Sequence, residues 1–146
     1  MKIVQLSVFL SNEKGRLFDV IETLSEAKIN IRALSLAETA DFGVLRMIVD
    51  DNEKASAALK KNNIVVKTTE IIAVQVPDRP GGLAGVLAVF KEKGVNIEYM
   101  YAFAQKKADH AVMVFRVDNI DLGIEALTKK GIKIIFGLPF AARQIV

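Results

Sequence analysis

The feature that most constrains this chain is an internal duplication. Val8 to Leu17 lies over Val74 to Leu83 at a shift of 66 residues, which places Gly15 on Gly81 and Leu17 on Leu83. The same shift carries Leu17, Val20, Ile21 and Leu24 onto Leu83, Val86, Leu87 and Phe90, and Asn30-Ile31 onto Asn96-Ile97. Further on, Val49-Asp50 matches Val117-Asp118 and Leu59 matches Leu127 at a shift of 68, so the second copy has two more residues around Gln105 to Asp109. An insertion there marks a hairpin loop. A repeat of this period fixes the organisation before any single element is assigned. It divides the 146 residues into two modules, 1–68 and 69–146.

Periodicity sets the elements within each copy. Residues 3–11 are rich in Val, Ile, Leu and Phe and read as a strand. Apolar positions then recur at i, i+3, i+4 and i+7 from Arg16 to Lys28, the pattern of a helix with one buried face. Two strands follow at 30–38 and 43–50, around Thr39-Ala40-Asp41. Asp50-Asp51-Asn52 offers a cap for a helix over Glu53 to Lys61, Asp118 stands likewise at a strand end before the last helix of the second copy and reads as a cap, and Ile64 to Lys67 reads as a short strand. The second copy repeats the order. Its first strand covers Glu70 to Val76, a helix Gly82 to Lys93, strands 96–104 and 110–117, a helix Ile120 to Lys130, and a strand 132–136. Residues 137–146 have no counterpart. No Gly, Pro or Ser separates the copies at Thr68-Thr69, which argues for a stiff junction.

The order β-α-β-β-α-β predicts an α+β fold of two ferredoxin-like modules. Each is a four-stranded antiparallel sheet with both helices on one face. The other face, carrying some of Ile71, Ala73, Tyr99, Tyr101, Phe103 and Val112 in the second copy, needs a cover. Sheets paired side by side are the arrangement we expect. Modules of about 70 residues are marginal alone, and 51% hydrophobic residues favour association, with a homodimer expected.

Composition excludes several functions. Cysteine is absent and there is one histidine, His110, so disulfides, thiol chemistry and a zinc site are ruled out as readings. No serine is placed with His110 and an acid, which removes the usual nucleophilic triad and favours a non-enzyme. Neither a signal peptide nor an 18-residue apolar run is present, so the chain reads as cytoplasmic with no membrane partner. The net charge of +3 is dispersed over separated basic pairs rather than gathered into a nucleic-acid surface. Alternating Tyr99, Tyr101 and Phe103 suit a base-stacking sheet, but the first copy has no aromatic residues on the matching strand, so packing is the preferred reading. No cofactor is implied.

The segment with most chemical content is Pro77-Asp78-Arg79-Pro80-Gly81-Gly82-Leu83, between a strand and a helix. Two glycines leave backbone N–H groups uncovered at a helix start, where a carboxylate or phosphate is favoured. Asp78 is placed to cap the helix or accept from an ammonium group, and Arg79 to give a second anion contact. The same residues also suit a plain turn in which Gly and Pro serve geometry alone. Asn96, and Asn30 in the first copy, stand at the entry to a strand. There an amide can bind a polar ligand or simply tolerate the left-handed turn after a helix.

Together, Asp78-Arg79-Pro80-Gly81-Gly82-Leu83 and Lys93-Gly94-Val95-Asn96-Ile97 resemble the start of an ACT domain, with its D-x-P-G loop and G-[IV]-N-I step. The resemblance covers nearly the whole chain as two tandem copies. The first copy departs from it, with Asn12-Glu13-Lys14-Gly15 in place of D-x-P-G and no glycine before Ile29-Asn30-Ile31. The resemblance implies a regulatory protein that binds a small molecule, most often an amino acid, between paired modules. It implies backbone donors at Gly81, Gly82 and Leu83 for a carboxylate, polar contacts from Asn96 and Ile97, and neighbouring roles for Asp78, Arg79 and Pro80. Asn12, Gly15, Arg16, Leu17, Asn30 and Ile31 are the equivalents in the first copy. An alternative implied partner is a separate amino-acid-biosynthetic enzyme, with this chain acting like the small subunit of acetolactate synthase.

Overall fold

A computed structural model of the chain describes residues 2–38, 40–104 and 109–136. They fall into two compact units, one of Val4–Thr69 and one of residues 70–136 together with Lys2 and Ile3. The order of elements is β1 (Ile3–Ser11), α1 (Arg16–Glu26), β2 (Ile31–Glu38), β3 (Phe42–Val49), α2 (Asn52–Lys61), β4 (Val65–Pro77), α3 (Gly82–Lys93), β5 (Ile97–Ala104), β6 (His110–Val117), α4 (Ile120–Lys129) and β7 (Ile134–Ile135). The chain is α+β with two β-α-β-β-α-β modules, as the element order predicts. One difference is β4. The sequence suggests separate strands at 64–67 and 70–76, and the structure has a single strand of 13 residues. Nothing in Lys67-Thr68-Thr69 breaks an extended backbone, since none of these residues is Gly or Pro and threonine favours strands.

In the first unit β3 pairs antiparallel with both β1 and β2, with Leu6 opposite Met47 and Leu34 also opposite Met47. Alternation puts Leu6 and Val8 of β1 and Leu45, Met47 and Val49 of β3 on the helix-bearing face. There they bury against Val20 and Leu24 of α1 and Ala55 and Leu59 of α2, with Val66 of β4 packed on the same core. α1 ends at Glu26, two residues before the apolar pattern suggests, because Lys28 turns left-handed at φ 58°.

In the second unit the strand order is β7-β4-β6-β5, all antiparallel, with Val74 opposite both Ile134 and Met113, and Met100 opposite Phe115. Ile72, Val74 and Val76 of β4 and Phe115 and Val117 of β6 pack beneath Val86, Val89 and Phe90 of α3 and Ala126 and Leu127 of α4. Phe90 meets Phe115 edge to face, with centroids 5.3 Å apart. Gly123 lets α4 sit close to the sheet, since a Cβ there would lie 3.0 Å from Ile72 Cδ1. On the opposite face Ile71, Ala73, Val112 and Val114 are also buried, while Tyr99 and Tyr101 are half-buried. The side chain of Phe103 lies outside the described residues.

Both units use one device to lock a strand start to a strand end. The Asn30 N–H donates to Asp50 Oδ1 at 3.1 Å and the Asp50 N–H donates back to the Asn30 carbonyl at 3.1 Å. Asn96 and Asp118 repeat this at 3.0 Å in each direction. The caps of the following helices are the next residues along. Asp51 accepts from the Lys54 N–H at 3.0 Å and Asn119 from the Leu122 N–H at 3.1 Å. Asp51 thus caps α2 as expected, whereas Asp50 and Asp118, also expected as caps, are clasps.

Candidate functional site: a groove beside the start of the third helix

The site begins with three glycines whose roles differ. Gly81 is the N-cap of α3 at φ 85° and ψ −11°, a left-handed conformation that favours glycine. Gly82 has no such conformation, but a Cβ on it would lie 2.0 Å from the Pro77 carbonyl oxygen. It is glycine because α3 starts hard against the end of β4. Gly85 meets neither condition: a Cβ there would touch nothing within 4 Å, and its φ is not positive.

The loop before these glycines is held by its own backbone. The Arg79 N–H donates to the Pro77 carbonyl at 2.9 Å, the Gly82 N–H to the Arg79 carbonyl at 3.0 Å, and the Asp78 N–H to the Asp109 carbonyl at 3.0 Å. No side chain caps α3, so the suggested cap by Asp78 is not formed. Leu83 turns inward and packs on the core. The first-turn N–H groups of Leu83 and Ala84 have no acceptor within the helix.

This loop forms one wall of a groove of about 840 Å³ within the second unit. Arg79, Pro80, Gly81 and Gly82 line it, and Gly85, Val86 and Val89 of α3 continue the wall. Facing them is the α4–β7 turn, with Lys130, Ile132 and Lys133. At the base Gln75 Nε2 lies 2.9 Å from His110 Nε2, a pair that is only partly buried. Asp109 and Glu92 add carboxylates, and Glu92 is tied to Lys130 at 3.3 Å. The groove therefore combines partly apolar walls with cations and acids and with an amide–imidazole pair at its base, the usual make-up of a small-molecule site.

Asn96 is not part of this groove. It is exposed beyond the C-terminal end of α3, a helix of 12 residues and so about 18 Å long. The D-x-P-G loop and the Asn-bearing step thus sit at opposite ends of α3 and are not brought together within the unit. The Asn96 N–H is already engaged by Asp118, and Ile97 packs against the core.

The first unit has the matching groove, and it is smaller, about 360 Å³. Arg16 and Asp19 stand in its wall where Gly82 and Gly85 stand in the other, and Asn62 and Val65 replace Lys130 and Lys133. Arg16 is drawn across the loop by Ser11 Oγ at 3.3 Å, Glu13 at 3.7 Å and Asp19 at 3.9 Å. Gly15 repeats the left-handed cap at φ 85°, and the Asn12 N–H donates to the Asp41 carbonyl at 3.2 Å as Asp78 does to Asp109. Leu17, unlike Leu83, is exposed, and Ile31 is core. Gln75, Lys130 and Lys133 escaped the motif reading. The signal that finds them is the same repeat, read for positions where the copies differ.

Residues 1–138 match the ACT domain pair family. The chain belongs to that family. A protein of Bacteroides thetaiotaomicron with a solved crystal structure is 45% identical over 92% of both chains, with a TM-score of 0.87. The acetolactate synthase small subunit of Mycobacterium bovis is 37% identical over 67 residues, 46% of this ACT pair and 40% of the relative, so the matched segment spans well under half of that protein. The regulatory subunit of aspartate kinase from Thermus thermophilus shares the fold at 14% identity, covering 88% of this chain and 93% of its own, with a TM-score of 0.62. Of these, the Mycobacterium relative is a small subunit by name. Among the described residues no group of three or more His, Cys, Asp or Glu is placed to hold a metal, and no helix is long and apolar enough to cross a membrane.

Proposed function

We propose that this ACT pair, with domains at 1–68 and 69–146, is a non-enzymatic regulatory protein of the cytoplasm that senses an amino acid. The observation that carries the reading is the ACT domain pair match across residues 1–138. The left-handed Gly81 cap and the uncapped first turn of α3 support it, because they offer N–H donors to a carboxylate. Asp78, Arg79, Pro80, Gly81, Gly82 and Leu83 form the loop side of the site. Asn96 and Ile97 stand at the far end of α3, so the polar side of the site comes from a module of a second chain in a homodimer. Asn12, Gly15, Arg16, Leu17, Asn30 and Ile31 form the weaker equivalent, because Arg16 is held by its neighbours and the D-x-P-G loop is missing.

A thermal-shift screen against the twenty amino acids at millimolar concentration tests this. A ligand that binds only the folded state raises the melting temperature by mass action. A raised midpoint with one or a few amino acids is expected, and a flat panel would remove the reading's support.

A second reading has an observation of its own. The 37% identity to an acetolactate synthase small subunit favours a chain that binds a separate biosynthetic enzyme. Affinity capture from the source cell that retains a large catalytic subunit, with no amino acid response by the isolated chain, would select this reading over the first.

A further inference from the structure

We propose that the groove of the second unit is a ligand site in its own right, for a small organic anion larger than a free amino acid. The groove shares the loop from Arg79 to Gly82 with the amino-acid reading above but is completed by Gly85, Lys130 and Lys133 instead of Asn96, so the two can fail separately.

The duplication supplies an internal control. Two grooves are built at the same place on the same backbone plan, yet one holds about 840 Å³ and the other about 360 Å³. Pockets for drug-sized ligands span roughly 300–1,000 Å³, a range whose upper part the larger groove reaches and whose lower edge the smaller one only just enters. What opens the larger groove is partly Gly85. Glycine weakens a helix interior, and here neither a positive φ nor a close neighbour requires it. Its counterpart Asp19 occupies that space in the first unit.

Charge points to the ligand's class. Arg79, Lys130 and Lys133 line the open groove where the first copy has Glu13, Asn62 and Val65 at the same places in the repeat. Glu92 is tied to Lys130 and Asp109 adds a second carboxylate, so three cations and two acids leave the lining with one net positive charge. Arg79 and Lys133 face the same space as the positive end of α3, which favours an anion. Val86, Val89 and Ile132 give its body an apolar surface, and the Gln75–His110 pair gives a polar contact at the base. A phosphate ester and a carboxylate share this chemistry.

The test is titration of the full chain with adenosine monophosphate and, separately, with phenylpyruvate. Binding of the first alone assigns a phosphate group, and of the second alone a carboxylate; either supports the site. Gly85→Leu, which fills the groove without meeting a neighbour at Cβ, is expected to abolish binding, and Lys133→Ala to weaken it about tenfold, the loss of one charge-assisted contact. Neither probe is an amino acid, so a flat amino-acid panel leaves this test standing. Retained tyrosine fluorescence melting in Gly85→Leu separates a filled groove from a lost fold. No binding of either probe at about 10 mM, or equal binding by wild type, Gly85→Leu and Lys133→Ala, would overturn the proposal.

Discussion

Replacing Gly81, Gly82 and Gly85 by alanine one at a time gives three different outcomes from three neighbouring positions. Gly82→Ala introduces a Cβ 2.0 Å from the Pro77 carbonyl oxygen and 3.0 Å from its carbon, and both are backbone atoms that cannot rotate away. Either α3 or the end of β4 must move by more than 1 Å, an overpacking cost of about 3 kcal/mol. Gly81→Ala meets no neighbour but holds a side chain at φ 85°, which costs about 1–2 kcal/mol, less the entropy that alanine removes from the unfolded chain. Gly85→Ala meets nothing and lies in a helix, so it stabilises by up to about 1 kcal/mol. The chain has no tryptophan, and its two tyrosines, Tyr99 and Tyr101, both stand on β5, so tyrosine fluorescence reports unfolding of the second unit. In a unit of this size each kcal/mol moves the midpoint by about 4–8 °C. The expected order of midpoints is Gly85→Ala above wild type, then Gly81→Ala, then Gly82→Ala. A Gly82→Ala protein as stable as wild type, or a Gly85→Ala protein that melts lower, would refute the reasoning.

Lys28 holds φ 58° where the second copy has Gly94 at φ 67°, so Lys28→Gly is expected to stabilise the first unit by about 0.5–1 kcal/mol, read by calorimetry. Asp118→Ala leaves the Asn96 and Asn119 N–H groups without their carboxylate and should lower the tyrosine-reported stability by about 1–2 kcal/mol. Lys2 has its ammonium pKa raised by hydrogen bonds to Asp121 first and Glu70 second. Its contribution is complete below the unfolded lysine pKa and is lost only as pH rises through the folded value. Stability from this exposed pair is therefore flat through neutral pH, and a Lys2→Met midpoint that moved relative to wild type between pH 6 and pH 8, roughly the range well below any lysine titration, would contradict the assignment.

The fold was legible because the repeat doubles every signal. An apolar helix face visible once at Val20 and Leu24 appears again at Val86 and Phe90, and both pairs are buried. The motif loop was legible as a strand-to-helix turn, and the second glycine's purpose was not. Gly81 is explained by a local dihedral angle, whereas Gly82 is explained by the Pro77 carbonyl, whose position depends on how α3 meets β4. Asp50 and Asp118 were misread as caps because an acid before a helix looks the same whether it accepts from the next turn or from a strand start 20 residues away. Lys130 and Lys133 carry no local pattern at all. They reach the groove through the α4–β7 turn, a tertiary juxtaposition with a loop some 50 residues earlier in the chain.

The central claim, an ACT pair that senses an amino acid, is tested most directly by calorimetric titration of the best amino acid from the panel onto wild type, Asn96→Ala and Asn30→Ala. Saturable binding to wild type is expected. Asn96→Ala should weaken it by about tenfold, the loss of a hydrogen bond to a charged group, and Asn30→Ala should do less, because the second copy keeps the fuller motif. No heat with any amino acid would contradict the account, and equal losses in the two variants would contradict its ranking of the copies.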